Sequence, residues 1–201
     1  WTVASYMVEG GGSRDFSVVK EWAFQFNNGF SNLIDLLIDV TSEYLIAQVD
    51  AGAEVLQLFD TWAGALSETH LRRWCIQPVE KIISNIRYKY PDIPIIGFPR
   101  GIGVSYIDYV QQTGVDAVSL DTSVPLKWAA QEIQPHAVVQ GNLDPMLVVS
   151  GGVEMKTEAS KILENLGQGP FIFNLGHGFV PQTPPENVLE LCEFLKSWKN
   201  K

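Results

Sequence analysis

The chain has 201 residues, 46% of them hydrophobic, with 14 basic and 23 acidic side chains and a formal net charge of −9. That supplies apolar material for one sizeable core, expected as a single domain over residues 1–201. The acidic balance, with no basic cluster beyond Arg72-Arg73, argues against nucleic acid as a partner. No apolar run reaches the ~18 residues of a membrane span. No basic region followed by an apolar stretch opens the chain, so no secretory signal is expected. Trp1 in place of Met suggests a natural N-terminus upstream.

In chain order, Leu33, Leu36, Leu37, Val40, Tyr44 and Leu45 mark a helical stripe. Glu54–Phe59 predicts a strand. Val79, Ile82, Ile83 and Ile86 predict a second helix, which Pro78 opens or kinks. Strands are predicted next at Pro94–Phe98, Ala117–Leu120 and Ala137–Gln140, then a helix marked by Ile162, Leu163 and Leu166. Phe171–Phe173 predicts a fifth strand, and Leu189 with Leu191 to Leu195 a last helix, capped by Thr183 with Pro184 in its first turn. Gly114 and Gly167 are placed as left-handed helix ends. The apolar, β-branched strands read as buried on both faces.

Strands alternating with helices predict a parallel α/β sheet. An open doubly wound sheet gathers ligand residues at one switch point, whereas a (β/α)₈ TIM barrel gathers them from every strand onto one rim. Here every predicted strand is followed by polar residues: Asp60-Thr61, Arg100, Asp121, Asn142 with Asp144, and Asn174 with His177. The barrel is favoured, as a partial barrel of about five strand-helix units.

The candidate site residues lie at these ends. His177 stands between Gly176 and Gly178, where bare backbone lets a ligand approach. The bland alternative is a histidine satisfied within a tight turn. YMVEGGGS, Tyr6–Ser13, lacks the Gly-Lys-Ser/Thr of a P-loop, so phosphate binding is not supported. Tyr6 offers a phenol to a pocket, or simply packs. In FDTWAG, Phe59 can wall a pocket and Thr61 can donate to a ligand oxygen, or cap the segment after it. Asn142 and Asp144 in GNLDP are expected to make a structural turn. Arg100 meets either an anionic substrate or Asp121. Cys75 and Cys192 fall in helix-like segments and suit free thiols in a reducing compartment. No usual zinc spacing and no Gly-x-Ser-x-Gly elbow occurs.

WTVASYMVEGGGS, LQLFDTWAG, GFPRG, QGNLDP and FNLGHGFVPQTPPENV, in that order, resemble the uroporphyrinogen decarboxylase family over its C-terminal two-thirds. The resemblance implies a (β/α)₈ barrel. It implies a carboxy-lyase that removes four acetate carboxyls from uroporphyrinogen III to give coproporphyrinogen III, in porphyrin and haem biosynthesis, without metal or organic cofactor. It further implies a cytoplasmic homodimer whose partner is the tetrapyrrole substrate, with no nucleic acid or membrane. The family's substrate-contacting tyrosine falls on Tyr6, its strand-end hydroxyl on Thr61, its late histidine on His177 and its pocket aromatic on Phe59. The family's N-terminal arginine-rich strand and its central aspartate have no match. Two other functions compete: a zinc-dependent methyltransferase on the same barrel, needing His and Cys at strand ends, and an inactive tetrapyrrole-binding fragment.

Overall fold

The computed structural model describes residues 1–25 and 28–198. The chain divides into two compact units, residues 1–117 and 118–201. The first holds α1 (Thr2–Glu9), α2 (Ser17–Phe24), α3 (Asn28–Asp50), β1 (Leu56–Asp60), α4 (Glu68–Leu71), α5 (Gln77–Lys89), β2 (Ile95–Pro99) and α6 (Tyr106–Thr113). β3 (Ala117–Ser119) begins at the boundary. The second holds α7 (Leu126–Trp128), β4 (Val138–Leu143), α8 (Pro145–Ser150), α9 (Gly152–Leu166), β5 (Phe171–Leu175) and α10 (Pro185–Ser197).

All five predicted strands are present. β1 and β2 pair in parallel, with Leu56 opposite Ile95 and Asp60 opposite Pro99. β4 and β5 do the same, with Val139 opposite Phe171 and Leu143 opposite Leu175. The sheet runs in chain order, β1-β2-β3-β4-β5. Parallel strands with helices between them are the expected units of a partial α/β barrel.

Burial corrects part of the sequence expectation. β2 and β3 are buried throughout. β1 and β5 are instead only partly buried, leaving Phe59 and Ile172 exposed. On α3 the buried stripe is Phe30, Ile34, Ile38, Ser42 and Leu45, while Leu36, Val40 and Tyr44 face outward. The helix carries two apolar stripes, and contact with α5 selects the first. Ser42 survives burial because it donates to Ile38 O at 2.7 Å and accepts from Asn85 Nδ2 at 3.1 Å. On α5 the predicted Val79, Ile82, Ile83 and Ile86 are all buried, each contributing about 1.5–3 kcal/mol through removal from water.

Helix ends also differ in places. Gly114 is left-handed (φ 66°), as expected. Gly167 is not (φ −70°), and α9 closes in right-handed geometry. α10 begins at Pro185 with Pro184 in the cap position, so Thr183 does not cap it. Of the last predicted stripe, Leu191 is buried and Leu189 is exposed. Pro78 sits in the first turn of α5, immediately after a widened turn at Arg72–Ile76.

Candidate active site

The end of β1 is organised by a buried carboxylate. Asp60 is 7% exposed. Its Oδ1 accepts from Thr2 N at 2.9 Å and from Thr2 Oγ1 at 2.5 Å, and its Oδ2 accepts from Trp1 N at 3.2 Å. Thr2 Oγ1 in turn accepts from Trp62 N at 3.0 Å. One hydroxyl at the start of α1 therefore grips the residues on both sides of Thr61. The hydroxyl that meets the turn after β1 belongs to Thr2, and the 3₁₀ segment Ala63–Ala65 has no side-chain cap. Nothing here gives Thr61 the capping role.

The same clamp fixes Tyr6. Its ring stands edge-on to Trp62, with centroids 6.4 Å apart at 72°, and Trp62 packs on Phe16 at 5.4 Å. Tyr6 is half-exposed, on α1, beside a hollow of about 310 Å³ that Arg14 also lines. Phe59 projects from β1, 64% exposed, with its edge on Phe98 at 6.1 Å. The structure thus joins Tyr6 and Thr61 through the Thr2 clamp and places Phe59 one residue before the buried acid.

Arg100 belongs to this end of the first unit. Its N–H donates to Asp60 O at 3.2 Å, and its carbonyl accepts from Gly64 N at 2.9 Å. A side chain on Gly64 would come within 2.5 Å of Gly101 O, so glycine is what lets the two strand-end turns touch. In the second unit, Asp121 Oδ1 accepts from Ser123 N at 2.9 Å and from Ser123 Oγ at 2.5 Å.

Behind the β1 end lies Cys75, fully buried. Burial pushes its thiol well up, and the charge of Asp60 adds to this. Such a group is a thiol at neutral pH. Cys192 is exposed on α10. Among the described residues, no group of three or more His, Cys, Asp or Glu side chains is placed to hold a metal ion. No helix of the described residues is long and apolar enough to cross a membrane.

His177 is in the second unit, exposed just beyond β5. Its Nδ1 accepts from Gly178 N at 2.7 Å, which assigns the proton of the neutral ring to Nε2. The flanking glycines differ. A Cβ on Gly176 would meet Thr122 at 2.6 Å, whereas one on Gly178 would meet nothing within 4 Å. The first glycine is demanded by packing, and the second leaves open space next to the imidazole.

The β4 end is structural, as expected. Asn142 Nδ2 donates to Asp121 O at 2.8 Å and to Val124 O at 3.0 Å. Asp144 Oδ1 accepts from Met146 N at 2.8 Å and caps α8, with Pro145 in the first turn. Sequence reasoning missed Thr2, Trp62 and Arg14. The first two act through contacts about 60 residues apart, for which one sequence carries no signal. Arg14 was legible as the cation following GGGS.

Parallel strands that deliver polar side chains at their C-terminal ends define the class: α/β chains of the (β/α)₈ barrel type. The profile of the uroporphyrinogen decarboxylase (URO-D) family matches residues 1–198, and the chain belongs to that family. It is 54% identical over 197 residues to a protein named uroporphyrinogen decarboxylase from Rhodospirillum rubrum, covering 98% of this chain and 57% of the relative. Relatives of the same name from Brucella anthropi and Brucella canis are 48% and 46% identical over 200 residues, covering 100% of this chain and 58% of each relative. The chain thus spans somewhat more than half the length of these relatives.

Proposed function

We propose that this chain forms part of an enzyme that decarboxylates the four acetate side chains of uroporphyrinogen III, giving coproporphyrinogen III and CO₂ in porphyrin biosynthesis. Family membership supports the reaction. The Thr2 clamp supports the site, because it ties α1, which carries Tyr6, to the backbone on both sides of Thr61.

Loss of CO₂ from a pyrrole acetate needs an acceptor for the electron pair. Protonation of the adjacent ring carbon creates an electron-poor ring that accepts it. The residues present suit orientation of the carboxylates. The Tyr6 phenol, the Thr61 hydroxyl and His177 Nε2–H are donors, and a donor to a carboxylate makes a charge-assisted bond. Phe59 supplies an apolar wall. Holding the reacting group in line lowers the barrier without any covalent step. The net charge of −9 disfavours general attraction of a polyanion, so attraction is local, from arginines focused in a cleft. The cytoplasmic location and the homodimer belong to this same proposal.

The test uses the full-length enzyme. Tyr6→Phe, Thr61→Val and His177→Ala each remove one donor to a charged group, so KM for uroporphyrinogen should rise about tenfold in each. Melting temperatures should stay close to the parent's, since all three side chains lie at least partly at the surface. Parental kinetics in all three would remove them from the site.

A further inference from the structure

The hollow beside Tyr6 has a charge character opposite to that of the chain. Among the described residues that line it, Arg14 alone is charged, and the walls are the rings of Tyr6, Phe16 and Trp62. The chain carries 23 acidic and 14 basic side chains, yet no carboxylate lines this space. Arg72, Arg87 and Lys89 are committed to Asp108, Asp116 and Asp50. Arg14 has no ion pair among the described residues, and its side chain is exposed.

Local structure explains the arrangement. Gly10 ends α1 in left-handed geometry, φ 69°. Ser13 Oγ accepts from Phe16 N at 3.0 Å, and this turn buries Phe16 against Trp62 while Arg14 stays at the rim. A Cβ on Gly11 or Gly12 would touch nothing within 4 Å, so the glycines leave that wall open. Whole small-molecule pockets occupy about 300–1,000 Å³. A hollow of about 310 Å³ suits one substituted ring with its acidic arm rather than a macrocycle.

We propose that this hollow binds one carboxylate-bearing pyrrole arm of the substrate, with the methylenes against Phe16 and Trp62 and the carboxylate in a forked hydrogen bond from the Arg14 guanidinium. The planar guanidinium matches a carboxylate bidentately. This assignment rests on the decarboxylase function proposed above and adds a cation to its neutral donors.

The full-length enzyme and uroporphyrinogen test it. Arg14→Gln should raise KM about fivefold to twentyfold, the range for a charged hydrogen bond discounted for exposure. Its kcat should stay near the parent's, and the dependence of KM on salt should flatten. Arg14→Lys, which keeps the charge and loses the fork, should fall between. Gly12→Val, at a position without positive φ, should raise KM by filling the space. Lys196→Gln, a charge change on α10, should do neither. Parental KM and salt dependence in Arg14→Gln, with normal turnover by the parent, would overturn the Arg14 assignment alone. Absence of turnover by the parent would overturn the decarboxylase function and this assignment with it.

Discussion

The ends of β1 and β4 both place carboxyl or amide side chains just where a strand stops, yet they use them differently. At β4, Asn142 is buried and holds the carbonyls of Asp121 and Val124, and Asp144 caps the next helix. All of these bonds stay within about 20 residues of sequence, and they shape a turn. At β1, Asp60 is equally buried but reaches 58 residues back to the start of α1. That link leaves its neighbours Phe59 and Thr61, and Tyr6 on the tethered helix, at least partly exposed. The difference shows that a buried strand-end polar group is a bolt, and that ligand-facing groups stand beside bolts.

If Asp60 is the stronger bolt, its loss should cost most. Asp60→Ala deprives the Thr2 amide and hydroxyl of a charged acceptor. It should lower unfolding stability by about 3–5 kcal/mol in urea titrations. Asn142→Ala takes this donor from the buried Val124 carbonyl and leaves Asp121 O with the Val124 N–H at 3.3 Å, and should cost about 1–3 kcal/mol, with a smaller shift of the urea midpoint. Asp144→Ala removes a single cap and should cost about 1 kcal/mol. An Asn142 effect larger than that of Asp60 would reverse the contrast between the two strand ends.

The fold was legible because strands and helices differ in apolar period and length. EVLQLF, PIIGF, AVSL, AVVQ and FIF each mark an observed strand. The buried stripe of α3 was not legible, because Phe30-Ile34-Ile38 and Leu36-Val40-Tyr44 fit helical spacing equally well and only the packing partner separates them. Thr183 has the cap chemistry, but α10 starts one residue later, so the cap falls on Pro184. At the site, residue type and strand-end position pointed to Tyr6, Phe59, Thr61 and His177. The partners that hold the first three do not appear in any local pattern. Asp60 was read as a strand-end acid, but its bond to Thr2, and that of Thr2 to Trp62, are recognisable only once the chain has folded back on itself.

The most direct measurement is a double-mutant cycle on KM for uroporphyrinogen in the full-length enzyme, pairing Thr2→Val with Tyr6→Phe and using Thr2→Ser as the conservative control. The Thr2 hydroxyl ties the β1 end to α1. Thr2→Val should therefore raise KM, Thr2→Ser should restore it, and adding Tyr6→Phe to Thr2→Val should cost less than it does alone. Parental KM in Thr2→Val, or effects that simply multiply, would contradict the clamp as the support of the site.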